Sequence, residues 1–323
     1  MDNNTSKTIL LFEPWHFGDL IVAVEIAKHL KTANYKVALA YNPKWDNWIR
    51  TETFIDYYLP VSIPWTSRFF KQKYKISSYG LSFFKQNIIK LRSLEPDIVV
   101  DVRCDLRHRL FLKTVYPFKN VISLLHESKI NVYRKKEFLL SKLKIKSVQD
   151  TTLNESINFP PQVVLFYGAN DFNREIPIDK VQEIICSIKN LEICISILLR
   201  PEDNKDVWDK FLLAEDINNV YLIKGDLIQV SNIIKSSDIM ISTDSGWLHL
   251  ASLYGKKTIG LYGFDTLKSW LPPNTIALKS DVFLSAKYKY KKSHQMIQPL
   301  SSLDIDVVKK TLVNVIKNMK VNK

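Results

Sequence analysis

The stretch STDSGWLHLASLYGKKTIGLYG, residues 242–263, places a polar cluster between two apolar runs. The run DIMIST that leads into the cluster is short and rich in β-branched residues, which is typical of a buried strand. The run KKTIGLYG that ends the stretch has the same character. Between the two, apolar residues recur at helical spacing, and Gly255 stands where a helix would end. The pattern predicts a strand, a sharp turn, a short helix and a second strand.

The polar cluster falls at the C-terminal end of the first strand and in the first turn of the helix. In open α/β sheets, ligands bind at the C-terminal ends of the strands. The free N–H groups of a first helical turn favour an anion. The sequence therefore predicts an anion-binding site here, formed by Asp244, Ser245, Gly246 and His249.

Both halves of the chain alternate strands with helices, which predicts a parallel sheet in each half. Strands are predicted at residues 8–12, 36–41, 97–102, 120–125, 192–199, 220–223, 238–242 and 257–262, with a further strand beginning at residue 162. A terminal helix is predicted at residues 305–319. The segment 150–161 contains the pair Pro160-Pro161 and is interpreted as a linker. The predicted domains are therefore residues 1–155 and 156–323.

The composition predicts a cytoplasmic protein with enough apolar residues for two hydrophobic cores. The chain has 323 residues, of which 46% are hydrophobic, and it contains no run of the roughly 18 apolar residues that a membrane span needs. The N-terminus lacks the basic start and the long apolar run of a signal peptide. The three cysteines show no metal-binding spacing and are expected to be reduced thiols.

The loop after the first strand, EPWHFGD, lacks the three-glycine dinucleotide fingerprint, and the chain contains no P-loop. A nicotinamide or flavin enzyme is therefore not expected. The α/β architecture that remains is a pair of Rossmann-like domains with parallel sheets, facing each other across a cleft.

The net charge of +13 is concentrated in the first half of the chain. Residues 1–160 hold 25 Lys and Arg against 15 Asp and Glu, and residues 57–94 contain no acidic residue. A lysine-rich solvated surface is one interpretation of this stretch. The other is a surface for a polyanion, namely nucleic acid, anionic lipid or a phosphorylated glycan. No nucleic-acid-binding motif accompanies the charge, and nucleic acid is not expected as a partner.

Residues 226–272 resemble the nucleotide-sugar signature of glycosyltransferase family 9, the bacterial heptosyltransferases. The family carries a D-[ST]-G-x-x-H-L-A-like segment, then a strand, a Gly-containing loop and an aromatic-x-Pro. The matching residues here are Asp244-Ser245-Gly246, His249-Leu250-Ala251, Leu261-Tyr262-Gly263 and Trp270-Leu271-Pro272. Weaker matches are a Gly18-Asp19 pair that opens the first helix and the loop Gly168-Ala169-Asn170. Arg174 follows that loop where the family usually has Lys.

The resemblance implies the GT-B fold, with the acceptor bound by residues 1–155 and the donor by residues 156–323. It implies an inverting transfer that needs no metal ion and no cofactor. The implied donor is a nucleotide-sugar, by family habit an ADP-linked heptose. An anionic lipopolysaccharide-type or other surface glycan is the expected acceptor, and a peripheral contact with the inner membrane surface would suit the basic half of the chain.

For most of the implied site residues, a purely structural role is the alternative to the functional one. Asp19 is implied as the base, beside Gly18, and a helix cap is its alternative. The remaining acceptor residues are expected to be Arg68, Arg103 and Arg107. A structural ion-pair network is the alternative for Arg103 and Arg107, and a solvated lysine-rich surface is the alternative for Arg68. The donor residues are expected to be Gly168, Ala169, Asn170, Arg174, Glu202, Asp244, Ser245, Gly246 and His249. Their alternatives are a surface ion pair for Arg174, helix starts for Asp244 and Glu202, and a core-edge position for His249.

Three other functions stay open at this stage. An epimerase or hydrolase of the same fold would turn over the donor without an acceptor. A non-enzymatic polyanion-binding protein would bind in a strongly salt-dependent way. A family member that binds without catalysing is suggested by the departures at Arg174 and Ile176. The nucleotide base, the sugar, the acceptor and the oligomeric state are not determined by the sequence.

Overall fold

A computed structural model of the chain describes residues 6–63, 78–123, 131–145, 160–169, 172–285 and 298–321. The chain divides into two compact units, residues 1–149 and 150–323. Each unit contains one parallel sheet with helices between its strands. The predicted α/β fold with two parallel sheets is therefore confirmed. Most of the predicted linker, residues 151–159 among them, lies outside the described residues.

Unit 1 contains a parallel sheet of five strands within its described residues, in the order β3-β2-β1-β4-β5. The strands are β1 Thr8–Glu13, β2 Lys36–Tyr41, β3 Tyr57–Pro60, β4 Ile98–Asp101 and β5 Asn120–Ile122. The helices are α1 Phe17–Thr32, α2 Asp46–Ile49, α3 Ser78–Arg92, α4 Leu106–Val115 and α5 Val132–Lys142.

Unit 2 contains six strands within its described residues, in the order β11-β10-β9-β6-β7-β8. The strands are β6 Gln162–Phe166, β7 Cys194–Leu198, β8 Val220–Ile223, β9 Ile239–Thr243, β10 Lys257–Phe264 and β11 Thr275–Leu284. The helices are α6 Ile178–Ile188, α7 Lys205–Ala214, α8 Leu227–Ser236, α9 Gly246–Leu253, α10 Leu267–Trp270 and α11 Ile305–Val321.

Both sheets have the strand order of a Rossmann fold. Successive strands are added on one side of the first strand and then, from one point onward, on its other side. The position between the two neighbouring strands at which the order reverses is the reversal point of the sheet. In unit 1 the reversal falls between β1 and β4, where Phe12 pairs with Asp101. In unit 2 it falls between β6 and β9, where Phe166 pairs with Ser242. Because ligands of such sheets bind at the carboxyl ends of the two strands that flank the reversal, each unit has one predicted binding position.

The cores consist of the β-branched and leucine residues that the sequence patterns placed there. In α6, for example, Val181, Ile184, Ile185 and Ile188 are fully buried at helical spacing, and they belong to the core of unit 2. Each such side chain contributes about 1.5–3 kcal/mol by leaving water. Asp304 caps α11, because its Oδ1 accepts hydrogen bonds from the N–H groups of Asp306 and Val307.

Gly260, in the middle of β10, has no room for a side chain. An added Cβ would lie 2.6 Å from Tyr262 Cε2 and 3.0 Å from Leu248 Cδ2, and both of these residues are buried. We expect Gly260→Ala to lower the free energy of unfolding by about 1–3 kcal/mol, because an overpacked core must shift its neighbours. Urea unfolding followed by circular dichroism measures the change.

Gly255→Ala is the comparison variant for that experiment. Gly255 has a φ of +72° and no atom within 4 Å of an added Cβ. Its substitution should cost about 1–2 kcal/mol through the left-handed backbone alone. A Gly260→Ala protein as stable as the wild type would contradict the close packing of β10 against α9.

Candidate active site

The reversal point of unit 1 holds an ion pair between Asp19 and Arg103. Asp19 lies in the first turn of α1, and Arg103 follows β4 by two residues. Arg103 Nη1 lies 2.9 Å from Asp19 Oδ1, and the two side chains are 28% and 11% exposed. The residue that precedes α1 as its N-cap is His16. Asp19 is therefore not the helix cap that its position in the sequence also allowed.

A chain of hydrogen bonds holds the aromatic ring against which Arg103 packs. The guanidinium carbon of Arg103 lies 4.0 Å from the centre of the Trp15 ring, a cation–π contact. Trp15 Nε1 donates to His108 Nε2 at 2.8 Å. Because an indole N–H only donates, His108 Nε2 accepts and the imidazole carries its proton on Nδ1. That Nδ1 donates to Asp101 Oδ1 at 3.2 Å, and Asp101 and His108 are both fully buried.

Glu13, the last residue of β1, is a buried carboxyl group at the same position. It is 1% exposed, and its Oε1 has no hydrogen-bond partner within the part of the chain that the structure describes. Burial raises the pKa of Glu13 well above its ordinary value, and the charges of Asp19 and Asp101 add to the effect. The charge of Arg103 opposes the rise without reversing it.

Arg107, the other arginine expected at the acceptor, forms a local ion pair. Its Nε and Nη2 lie 3.0 and 2.7 Å from the two carboxylate oxygens of Asp105, the cap residue of α4. Hydrogen bonds from Arg107 lower the pKa of Asp105 to about 2. Gly18 is the second residue of α1. Arg68 lies outside the described residues, as do residues 64–77 of the basic stretch in general.

The reversal point of unit 2 joins the loop after β6 to the end of β9. Thr243 Oγ1 donates to the carbonyl oxygen of Gly168 at 2.6 Å. A Cβ on Gly168 would lie 2.7 Å from Arg200 Cδ, so this loop position requires glycine. Arg200, which follows β7, forms ion pairs with Glu175 and Asp203. A hydrogen bond therefore joins the segments that follow β6 and β9, and the ion pairs of Arg200 lie next to it.

Asp244 directly follows β9 and is held from two sides. Its Oδ2 accepts a hydrogen bond from Thr266 Oγ1 at 3.0 Å. Arg174 Nη1 donates to the carbonyl oxygen of Asp244 at 2.9 Å and lies 3.6 Å from Oδ2. The Arg174 side chain is mostly buried, so it is not a surface ion pair. Burial, together with the charge of Asp244, raises the pKa of the neighbouring Tyr262.

The first turn of α9 has no side-chain cap. Ser245 occupies the N-cap position, but its hydroxyl lies 2.9 Å from the hydroxyl of Ser242 and makes no capping bond. The Ser245 hydroxyl therefore does not cap the first-turn N–H groups of α9. His249, one turn further along, is buried and packs edge-on against the Trp270 ring at 6.0 Å.

Two other expected donor residues already have partners within the chain. The backbone N–H of Ala169 is hydrogen-bonded to the Glu175 carboxylate. The Glu202 side chain is 64% exposed and lies 3.4 Å from Arg200 Nε. Asn170 lies outside the described residues.

The described residues also bear on metal binding and on insertion into a membrane. Among the described residues, no three His, Cys, Asp or Glu side chains are grouped so that they could hold a metal ion. No helix in those residues has the length and apolar character needed to cross a bilayer. None of the three cysteines forms a disulfide bond; Cys104 is buried, and Cys186 and Cys194 are partly buried.

The comparison with known families adds to this geometry. The family model described as glycosyltransferase family 9 (heptosyltransferase) matches residues 118–300, more than half of the chain. The chain belongs to glycosyltransferase family 9. It is therefore a glycosyltransferase, and the non-enzymatic interpretation is set aside. None of the curated protein sequences matches the chain.

Solved structures of heptosyltransferases have the same fold. The structure of E. coli heptosyltransferase WaaC with ADP-2-deoxy-2-fluoro heptose is 15% identical, with a TM-score of 0.70 over 95% of this chain and 99% of WaaC. The glycosyl transferase family 9 protein of Veillonella parvula DSM 2008 is 14% identical, with a TM-score of 0.66 over 98% of both chains. E. coli ADP-heptose lps heptosyltransferase II is 11% identical, with a TM-score of 0.65 over 97% and 99%. This likeness confirms the predicted GT-B fold class.

Sequence reasoning missed four residues that the structure places at the two reversal points. They are Glu13, Trp15, His108 and Arg200. Glu13, Trp15 and Arg200 follow predicted strands within a few residues, so the rule that ligands bind at strand ends could have singled them out. His108 lies two residues inside α4, and only the fold brings it to Trp15.

Proposed function

We propose that this protein is an inverting, metal-independent glycosyltransferase. It moves a sugar, heptose in the first instance, from an ADP-linked donor to an anionic acceptor of the lipopolysaccharide or another surface glycan. The observation that carries the proposal is the Asp19 carboxylate, which lies at the reversal point of unit 1 in an ion pair and does not cap its helix.

Asp19 is the general base of this proposal. Its carboxylate accepts the proton of the acceptor hydroxyl as the hydroxyl oxygen attacks the anomeric carbon. The bond between that carbon and the diphosphate oxygen breaks, and ADP leaves. A single displacement inverts the configuration of the anomeric carbon. Gly18 leaves the backbone beside Asp19 without a side chain, which would let a sugar approach closely.

Unit 2 supplies the groups for the leaving diphosphate. Charge grows on the diphosphate oxygen in the transition state, and groups already in place stabilise it best. Arg174 offers a guanidinium, and α9 offers first-turn N–H groups with the positive end of its dipole. These groups support a reaction in which no metal ion is needed to neutralise the diphosphate. Gly168, Ala169, Asn170, Glu202, Asp244 and His249 complete the proposed donor site.

The net charge of the first half supports an anionic acceptor. Arg103 and Arg107 are each paired with a carboxylate, so an anionic group of the acceptor would have to share or replace Asp19 or Asp105. Arg68 and the basic residues near it are proposed to add the remaining attraction. An anionic membrane surface would suit the same charge, and we propose a peripheral contact with it in the cytoplasm.

Nucleotide binding is the first test. Titration calorimetry with ADP, GDP and UDP should show ADP binding at least about tenfold more tightly than the others, a difference of about 1.4 kcal/mol. Asp244→Asn should weaken ADP binding, because it removes the carboxylate that contacts Thr266 and Arg174, the second of which is proposed to bind the diphosphate. Asp19→Ala should leave ADP binding unchanged.

Transfer is tested separately by ADP release from ADP-heptose with and without a deacylated lipopolysaccharide acceptor. Release that depends on the acceptor supports the transferase. Equal release without an acceptor supports a hydrolase of the same fold. If no nucleotide binds, the proposed function is wrong.

A further inference from the structure

The outer face of α4 carries two exposed leucines. Leu106 and Leu110 are 57% and 60% exposed, and residues four apart lie on the same side of a helix. The opposite side of α4 packs on the sheet and holds its buried residues, which are His108, Phe111, Leu112 and Val115. The helix therefore has an apolar stripe on its outer face in addition to the side that belongs to the core.

Exposed apolar residues also lie next to α4. Ile89 is exposed on α3, which packs against α4. One turn later on α3, the Arg92 guanidinium donates to the carbonyl oxygens of Thr114 and Val115 at the end of α4. Phe118, which follows α4, is almost fully exposed. Four of the five large apolar side chains that are exposed in the described part of unit 1 thus lie on these two helices or directly after them. We call this region the α3–α4 surface.

The charges of the α3–α4 surface have one sign. Neither α3 nor α4 contains an aspartate or a glutamate, and residues 106–126 contain none. Arg107 is paired with Asp105, whereas the described residues provide no ion pair for Arg109, Lys113 or Lys119. Lys113 and Lys119 are exposed, and Arg109 is half-buried. The leucine stripe is therefore flanked by positive charges that an anionic partner would neutralise.

An apolar stripe between basic side chains fits the surface of an anionic bilayer. The apolar side chains enter the boundary between headgroups and acyl chains, and the basic side chains contact the lipid phosphates. A second copy of the chain fits this surface less well. In a twofold dimer the same patch faces itself, so the positive charges of both copies would oppose each other.

The α3–α4 surface adjoins the proposed acceptor site. α4 begins at Leu106, three residues after Arg103, which is paired with Asp19 at the carboxyl end of β4. Four residues of helix rise by about 6 Å, so Leu110 lies only one turn further along. A glycolipid whose acyl chains remained in a bilayer against α4 would therefore present its sugar close to Arg103 and Asp19.

We propose that the α3–α4 surface docks unit 1 on an anionic membrane. The inference rests on the proposed function, to which the peripheral membrane contact and the lipid-linked acceptor belong. It adds the residues that make the contact. The apolar residues are Ile89, Leu106, Leu110 and Phe118, and the basic residues are Arg109, Lys113 and Lys119.

Co-sedimentation of the full chain with lipid vesicles tests the proposal. The wild type should bind phosphatidylcholine vesicles that contain about 30% phosphatidylglycerol at least about tenfold more tightly than pure phosphatidylcholine vesicles. Leu106→Ser/Leu110→Ser should weaken binding to the anionic vesicles at least about tenfold, because serine gains little by leaving water. Both positions are exposed, so the fold should be retained, which circular dichroism checks.

Val207→Ser/Leu213→Ser is the matched control. It also removes two exposed apolar residues from one helix, in this case α7 of unit 2, where they are 46% and 84% exposed. This variant should bind the anionic vesicles as the wild type does. Equal losses in the two double variants would overturn the proposal, and so would wild-type binding by Leu106→Ser/Leu110→Ser.

A second pair of variants tests the charges. Lys113→Gln/Lys119→Gln should weaken binding about 25-fold at about 0.1 M salt, since each basic residue near an anionic membrane contributes about fivefold. The loss should shrink at about 0.5 M salt, because the charges are then screened. Lys309→Gln/Lys310→Gln, which removes two exposed lysines from α11 of unit 2, should have little effect. An equal loss in this control would mean that only the net charge matters, and the proposal would be wrong.

ADP release with the deacylated acceptor separates the docking surface from the proposed function. Leu106→Ser/Leu110→Ser should match the wild-type rate with this water-soluble acceptor, because neither leucine belongs to the proposed donor or acceptor site. A wild type that transfers sugar but binds no anionic vesicle would overturn the docking surface and leave the function standing. Vesicle binding that requires the two leucines, without binding of any nucleotide, would support the docking surface while the proposed function fails.

Light scattering of the protein without lipid tests the competing occupant. The wild type should have the mass of a monomer under the conditions in which it binds vesicles. A wild-type dimer that Leu106→Ser/Leu110→Ser converts to a monomer would assign the α3–α4 surface to a second copy of the chain and overturn the proposal.

Discussion

Asp19→Asn is expected to lower kcat for sugar transfer by about 10²–10⁴-fold, the usual contribution of a general base. The amide has the shape of the carboxylate but cannot accept the proton of the acceptor hydroxyl. The affinity for ADP should not change, because Asp19 belongs to unit 1 and the residues proposed for ADP belong to unit 2. ADP release under saturating donor and acceptor measures kcat, and calorimetry measures the ADP affinity.

Asp46→Asn is the matched control for this prediction. Asp46 is also in the first turn of a helix and also forms an ion pair with an arginine, with Arg50 Nε 2.9 Å from its Oδ2. Its substitution should leave kcat within about twofold of the wild type, since surface pairs contribute about 0–1 kcal/mol. Equal losses in both variants would mean that Asp19 acts only through folding, and the base would have to be another group.

Arg174→Met is expected to weaken ADP binding by about 10- to 100-fold. A hydrogen bond to a charged group is worth about 1.5–3 kcal/mol, and tenfold in affinity corresponds to about 1.4 kcal/mol. Arg174→Lys keeps a positive charge, in the form that the family usually has at this position, and should lose much less. Titration calorimetry with ADP measures both variants.

Lys180→Met is the control for Arg174→Met, because it also removes a positive charge from a position close to Arg174 in the sequence. Lys180 lies on α6 and is paired with Glu183 on the helix surface. Its substitution should not change the ADP affinity. Because Arg174 also bonds to Asp244, thermal unfolding of Arg174→Met must be measured alongside. A folded Arg174→Met protein with wild-type ADP affinity would limit Arg174 to holding Asp244 in place.

The strands that could be predicted are those with continuous apolar runs, because central parallel strands are buried on both faces. β1, β2, β9 and β10 belong to this class, and all were expected within a few residues of their observed bounds. β3 and β11 were not predicted. β3 has only four residues, one of them buried, and β11 has mostly exposed or half-buried positions, so neither shows the continuous apolar run of a central strand. An edge position alone does not prevent the prediction, since the edge strands β5 and β8 were both expected.

At the site, the sequence indicated which residues stand at strand ends but not which of them meet. Arg107 and Asp105 are two residues apart, and a structural ion pair was one of the stated alternatives for them. Trp15 and His108 are 93 residues apart, and Arg174 and Asp244 are 70 apart. Contacts over such separations have no local signal, since they depend on which strands become neighbours.

Local chemistry in the sequence therefore determined the α/β class and the strand–helix–strand arrangement of residues 242–263. Both follow from hydrophobic periodicity, glycine positions and helix starts, which act over a few residues. Only the tertiary structure decided that Asp19 pairs with Arg103, that the Glu13 carboxyl group is buried and that a buried histidine anchors Trp15. The reason is that sheet pairing brings the ends of β1 and β4 together, so that residues far apart in the sequence become neighbours.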